Sequence, residues 1–561
     1  MKHLEKFLDK SFWQRVRNNP EYAGVRAAIY EMYEKNRYNE IPVIPYSKRW
    51  LYYKVGSRAE FEEYYFRVRY YLFATTILAL MEPENDGYIT EVQDILWSLC
   101  DEYSWALPAH SPGRVEGDIK FVDLFSTETG ADCCKVLYLL KGRLDTPVVE
   151  RVKREVHKRV LIPHKEMKYR WEHCYDNWAA VCGSNVTECF LFLDKELFFS
   201  DYYDRMAGCI QQFIDGYSAE GICLEGLSYW NYGFGHFVAF ADMMYAETNG
   251  EIDWFAIPKV TKMAKFPQTM HLKGGEYISY ADGITTTRGN FGVLAQLHQR
   301  YPDAIPAPDK NESLSFNGNK YFGYLLQNIY YWAMEPDKEQ VGEKLLYFPD
   351  AGQAVFHKDT FSVAMKAGHN NEEHNHNDVG NFIFADEDGQ ALCDLGAGLY
   401  TQQYFSKDKE NGRYKVFCTN SYSHNVPIVD GLDQNTGKSA CGTISLDGNV
   451  VSMEFAKAYG NEKLTNLSRI ITVEETHVVL EDAFIGECEI TERFVSLRKP
   501  VIEDGLIILG RTTLTFDKVF KPVVSVVIHK PHIGNEDMEV YCIDFTLPAH
   551  SKSFTMQIRA K

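Results

Sequence analysis

The chain has 561 residues, too many for one hydrophobic core, so two or three domains are expected. Its formal net charge of −19, from 59 basic and 78 acidic residues, argues against nucleic acid and anionic membrane surfaces as partners. No apolar run approaches the ~20 residues that span a bilayer, and the opening MKHLEKFLDKSFWQRV has no signal-peptide apolar stretch. The thirteen cysteines are scattered, without C-x-x-C spacing, as reduced thiols would be. The expected place is the cytoplasm, or the periplasm or exterior if a leader was removed.

In chain order, residues 1 to about 335 read as a helical domain. Glu60–Leu80, Glu91–Tyr103, Phe121–Lys141 and Phe237–Glu247 carry apolar residues at spacings of three and four without internal proline. Breakers separate them at Pro83-Glu-Asn-Asp-Gly87, Pro108–Gly113 and Asp215-Gly216. Helices in this number without strands suggest an α/α barrel or toroid. Pro302–Ser315 reads as a linker or long loop. From about Leu345 the period becomes two. Val355-Phe-His, Phe361-Ser-Val-Ala-Met, Val450–Phe455, Ile470–Val473, His477–Asp482 and Val523–His529 read as strands separated by Gly, Asn and Asp turns. Residues 336–561 are therefore expected to form an antiparallel β-sandwich. Aromatics are abundant (Tyr 36, Phe 34, Trp 9), which suits a large core or stacking on sugar rings.

Three stretches carry possible chemistry. Trp171-Glu-His173-Cys-Tyr-Asp-Asn177-Trp178 places His173 and Asn177 on one face if it is helical. Asp215–Gly233 is a glycine-rich loop entering a helix, with Glu225, Tyr229, Trp230 and Tyr232 near its end. The third begins His374-Asn-His376-Asn-Asp378-Val-Gly-Asn381. It continues through Cys393-Asp394-Leu-Gly396 and Ser423-His424-Asn425 to Gln434. In an extended segment His374 and His376 would point the same way. Two histidines with a distant histidine and carboxylate are nitrogen and oxygen donors suited to a zinc-like ion. The same residues can instead hydrogen-bond across a sheet.

Four of these features together resemble the heparinase II/III-like polysaccharide lyases. They are Trp105-Ala-Leu-Pro-Ala-His110, Asn177-Trp178, Glu225-Gly-Leu-Ser-Tyr229-Trp-Asn-Tyr232-Gly233 and the His374–Gln434 stretch. The resemblance implies an incomplete (α/α) toroid followed by an antiparallel β-sandwich. It also implies β-elimination on a uronic-acid glycan, with glycosaminoglycan favoured over alginate, and a structural divalent metal, zinc, without an organic cofactor. His376, Asp394 and His424 would be its ligands, and Asp378 and Asn381 would brace their loop. Tyr229 would transfer the proton, with Tyr232 second. Asn177 and His374 would neutralise the substrate carboxylate. Many members carry a histidine directly after the asparagine. Here that place is Trp178, so the imidazole comes from His173, from His374, or is dispensed with.

Trp178, Trp230, Glu225, Arg288 and Arg413 are the expected substrate contacts, the guanidinium groups because they suit carboxylate and sulfate. The acidic net charge favours acidic oligosaccharides over long sulfated chains, and the sequence leaves homo-oligomerisation open. Two readings of other classes compete. A glycoside hydrolase on the toroid would use two carboxylates from Asp215, Glu220 and Glu225. A non-catalytic glycan-binding protein would keep aromatics and arginines but need not keep Asn177, Tyr229 and His374 together.

Overall fold

A computed structural model describes residues 1–111, 120–309, 321–336, 344–532, 536–548 and 552–561. Part of the expected linker, 310–315, and the end of the Pro108–Gly113 breaker lie outside the described residues. The chain divides into two compact units, neither continuous in sequence. One comprises Met1–Gly216, Asn231–Ala264 and Gly289–Glu339. The other comprises Tyr217–Trp230, Lys265–Arg288 and Gln340–Lys561. Two segments from the first half of the chain thus fold with the strands, where a single boundary at 335/336 was expected.

The first unit is built of helices whose ends are written in the sequence. Asp123 accepts from the Ser126 backbone N–H at 2.7 Å while Ser126 Oγ accepts from the Asp123 N–H at 2.8 Å. This reciprocal cap starts Leu124–Leu139. Asp176 accepts from the Trp178 N–H at 2.9 Å and starts Asn177–Leu193. Both helices are buried almost all round, so each packs on neighbours along every side. They pack on each other, and Asn177–Leu193 also packs on Tyr203–Asp215 and Gly235–Glu247. Gly130 permits the close approach. A Cβ there would stand 2.9 Å from Val160 Cγ2 and 3.1 Å from Cys189 Sγ.

In the second unit the described strands form three antiparallel sheets. The five-stranded sheet runs Leu345–Phe348, Gln353–His357, Ser362–Lys366, Phe382–Asp386, Gly389–Leu392. Its middle strands Ser362–Lys366 and Phe382–Asp386 are buried on both faces. The nine-stranded sheet includes the long pair Leu464–Val473 and Val478–Gly486. Alternate residues of that pair are buried, the period of two expected of a half-covered sheet. The four-stranded sheet runs Val523–His529, Met538–Thr546, Ile490–Ser496, Ile428–Val429. One core joins side chains of all three, including Phe382, Phe384, Leu467, Leu480, Phe494 and Phe545. Arg469 is fully buried in it. Its guanidinium pairs with Asp482 and donates to the carbonyls of Gly380 (2.8 Å) and Asn425 (2.6 Å). A buried charge persists only when so paired. Here the pairing also pins the two loops that carry the histidines.

Candidate active site and metal centre

Asp282 is the hub of the second unit's polar cluster. It is 1 % exposed, in the segment Lys265–Arg288. Its Oδ2 lies 2.6 Å from His374 Nδ1 and accepts from the Tyr400 hydroxyl at 3.0 Å. Its Oδ1 lies 3.0 Å from His376 Nε2 and accepts from Arg413 Nη2 at 2.8 Å and from the Tyr404 hydroxyl. Burial alone would raise this carboxyl. Arg413 and the bonds from both histidines outweigh it and hold the group well below the ordinary carboxylate range. An ionised carboxylate only accepts, so both facing ring nitrogens carry hydrogen.

Tyr229 joins the same cluster at the end of the short helix Leu227–Tyr229. Its hydroxyl is 2.8 Å from the Tyr400 hydroxyl and 3.2 Å from His374 Nδ1, and its ring stacks on His374 at 4.2 Å between centroids. Tyr400 spends its one proton on Asp282, so its oxygen is left to accept from Tyr229. Burial raises the Tyr229 phenol well above its usual value and the charge of Asp282 adds to this, so it rests protonated. Burial opposes the imidazolium of His374, yet Asp282 and Glu225 raise its pKa overall. Glu225 Oε2 stands 3.8 Å from His374 Nε2. The cluster therefore sets a hydroxyl donor beside an imidazole whose charged form Asp282 and Glu225 favour.

Behind it, His376, Asp394 and His424 are buried with ligand atoms within 4.8 Å of one another. None of the three lies within a strand, where strand-like segments were expected. His374 has φ +57°, so His374 and His376 are not an extended pair, and Asp282 brings their rings together instead. The donor set fits a metal. His376 spends Nε2 on Asp282, and its Nδ1 is buried with no hydrogen-bond partner. His424 lies with Nδ1 3.0 Å from Asp394 Oδ2, and its Nε2 is likewise buried and unpartnered. Two orphaned imidazole lone pairs beside a carboxylate are what a divalent ion would satisfy. Asn381 donates to Asp394 Oδ2 at 2.8 Å and accepts from the Asn425 N–H at 3.0 Å, bracing the group. Asp378 pairs with Lys366.

The remaining expected residues fall variously. Asn177 is buried at the start of its helix in the first unit, against Gly233, whose added Cβ would meet Asn177 Cβ at 3.0 Å. His173 does not share that helix. It ends a separate 3-10 turn, Arg170–His173, and extended residues Cys174 and Asp176 intervene. An imidazole does stand beside Trp178. His110 lies 4.9 Å from it between ring centroids, its Nδ1 2.8 Å from Asp123 Oδ2. Tyr232 belongs to the first unit, its hydroxyl donating to Glu128 at 2.7 Å. It lies in a π-helical stretch, Trp230–Phe234.

Trp230 is fully buried and so presents no face to a sugar, contrary to expectation. Arg413 is bound internally. Besides Asp282 it donates to the carbonyls of His374 (2.8 Å) and Asn375 (3.0 Å), so it braces the histidine loop. Arg288 is half-buried, and its neighbour Thr287 stands 3.2 Å from the Ser228 hydroxyl beside Tyr229. Glu220 accepts from the Asp350 N–H at 3.0 Å as a loop brace. Asp282, Tyr400 and Tyr404 were missed. Nothing in their local sequence marks them, and Asp282 lies in the half of the chain that reads as helical.

Residues 340–511 match the family of heparinase II/III-like C-terminal domains. No curated protein matches in sequence. Among solved structures, a heparan sulfate lyase HepC mutant from Pedobacter heparinus is similar at 13% identity and TM-score 0.60, over 95% of this chain and 82% of that one. A heparinase III is similar at 13% and 0.62, over 90% and 77%. The chondroitin AC lyase of Streptomyces coelicolor A3, in complex with chondroitin sulphate, is similar at 10% and 0.60, over 98% and 82%. At these identities the likeness is one of fold, helical toroid and antiparallel β-sandwich together.

Proposed function

We propose, for a chain that belongs to the heparinase II/III-like family through residues 340–511, that it is a polysaccharide lyase cleaving uronic-acid glycans of the glycosaminoglycan class by β-elimination. The observation that carries this is the Tyr229 hydroxyl held 2.8 Å from Tyr400 and 3.2 Å from His374 Nδ1, with the His374 imidazole stacked on its ring. The C5 proton of a uronate is α to a carboxylate and weakly acidic. Its removal pushes charge onto that carboxylate, so a donor that strengthens as charge grows lowers the barrier. The protonated His374 is that donor. The resting phenol of Tyr229 is protonated, and the adjacent imidazolium is the cation that favours its phenolate. On substrate binding the phenol gives its proton to solvent; the phenolate then takes the C5 proton, the C4–O4 bond breaks, a C4–C5 double bond forms, and the phenol passes that same proton to the departing O4, which leaves the phenolate for the next turnover. Asn177 is assigned as second donor to the carboxylate on its sequence motif alone.

A divalent metal held by His376, Asp394 and His424 would fix the fold of the loop that carries His374. Zinc is the ion we assign, on two imidazoles and a carboxylate. The thirteen free cysteines support action in a reducing compartment.

The test is a panel of heparan sulfate, chondroitin, hyaluronan and alginate, followed by the ultraviolet absorbance of the conjugated C4–C5 double bond. Absorbance with a glycosaminoglycan is expected. Absorbance with alginate alone would move the substrate class. New reducing ends without absorbance would make the protein a hydrolase.

A further inference from the structure

We propose that Asp282 is a positioning residue that joins the metal centre to the proton-transfer pair, one carboxylate oxygen serving each. The inference rests on the reading of Tyr229 and His374 as the reacting pair. The division is plain in the contacts. The partners of Oδ2, His374 (2.6 Å) and Tyr400 (3.0 Å), are the two groups that touch the Tyr229 hydroxyl. The partners of Oδ1 are the metal-centre histidine His376 (3.0 Å), Arg413 (2.8 Å) and Tyr404. Five donors crowd one buried carboxylate, more than its roughly four lone-pair sites can take singly. Such a group fixes ring orientation and tautomer together. His374 must present hydrogen on Nδ1, which turns Nε2 outward beside Glu225. His376 must present hydrogen on Nε2, which leaves the Nδ1 lone pair to a metal. A carboxylate behind a ligating imidazole is the usual device for holding its tautomer.

The backbone points the same way. Ala281, directly before Asp282, has φ +57°, and His374 also has φ +57°. Alanine gains nothing locally from that conformation, which persists only where the surroundings over-determine it. The backbone is thus bent into place at both ends of the His374–Asp282 contact. The loop is locked from behind, since Ser279 Oγ donates to the Asp394 carbonyl at 2.8 Å and the Gly283 carbonyl accepts from the Ala397 N–H at 3.1 Å.

Asp282→Asn keeps the shape and turns an NH2 toward donors on one side. In the folded variant, turnover should fall about 10²-fold with KM within about threefold, because the lost orientation acts on the reacting groups rather than on sugar binding. Metal release to a chromogenic chelator should be about 10- to 100-fold faster than in the wild type. Wild-type release kinetics in a folded Asp282→Asn variant would overturn the proposal. If the wild-type protein yields no unsaturated product from any polymer, the lyase reading fails, and the metal-release comparison still decides whether Asp282 holds the metal centre. Should Asp282→Asn not fold, histidine-selective 15N spectra of the wild type serve instead, assigned with His374→Gln and His376→Gln. A protected Nδ1–H on His374 and a protected Nε2–H on His376 are expected. Ring protons exchanging as fast as those of an exposed histidine would overturn it.

Discussion

At the scale of single residues, the Tyr229 hydroxyl is the group whose removal says most. Tyr229→Phe retains the ring stacked on His374 and deletes only the bonds to Tyr400 and His374. Folding should survive, with a thermal midpoint near that of the wild type, while turnover falls by roughly 10²-fold or more. A folded variant with near-normal turnover would remove Tyr229 from the reaction. His374→Ala should lower turnover more than it raises KM, since the imidazolium interaction strengthens only as charge develops. A change in KM alone would make His374 a binding group. The structure brings together Tyr229 and His374, from two stretches that stood out in the sequence for glycine, histidine and asparagine; their roles came from the family resemblance. Trp230 and Arg413 were legible as types but not as roles. One is packed fully inward, and the other spends its guanidinium on a carboxylate and carbonyls of its own unit. Composition cannot show which way a side chain faces at the point where a loop becomes a helix.

At the scale of elements, the loop of residues 371–381 depends on partners far away in sequence. Gln434 Oε1 accepts from the Val379 N–H at 2.9 Å, Asn377 donates to the Gln434 carbonyl at 3.0 Å, and Arg469 holds the Gly380 carbonyl. The notable residues of the His374–Gln434 stretch are thus partly candidate ligands and partly braces. A metal joining His376, Asp394 and His424 would tie more firmly three loops that Asn381 and the His424–Asp394 contact already link. Chelation should therefore lower the thermal midpoint, and activity as a consequence. His424→Ala should reproduce the loss and make the protein indifferent to chelator. Elemental analysis of protein purified without added metal checks the premise. Sub-stoichiometric metal, with a midpoint unmoved by chelator, would show that the three side chains only bond to one another. The helix and strand periods were legible here because each element buries a face at its own repeat. His173 with Asn177 was not, because extended residues end the turn after His173 and Asp176 caps a new helix between them.

At the scale of the whole molecule, the order of helices then sheets follows from the change of period. The interleaving of the two units does not, because Tyr217–Trp230 and Lys265–Arg288 carry neither a strict helical nor a strand repeat. Acid response separates what the helical unit contributes. His164 is fully buried in it, both ring nitrogens without a partner, its ring stacked on Trp171 at 5.7 Å. Burial, with Arg205 nearby, pushes its pKa down to about 3, and burial does the same to His236. The unfolded chain binds these protons below about 6.5, while the folded unit refuses them until about 3. Their contribution is present above 6.5 and is lost as pH falls, at about 1.4 kcal/mol per pH unit for each group. Asp132 runs the other way. Burial raises its carboxyl to about 7 despite Lys135, so its contribution is full at low pH and fades as pH rises through that value. It offsets one of the two histidines. His164→Phe keeps a ring against Trp171 and removes the two unsatisfied nitrogens. Its thermal midpoint at neutral pH should equal or exceed that of the wild type. Between pH 6.5 and 4 its stability should fall less steeply, by about 1.4 kcal/mol per unit. Acid loss of any metal is common to both proteins and cancels in the comparison. Identical slopes in the two proteins would mean that His164 takes up its proton in the folded state as readily as in the unfolded chain.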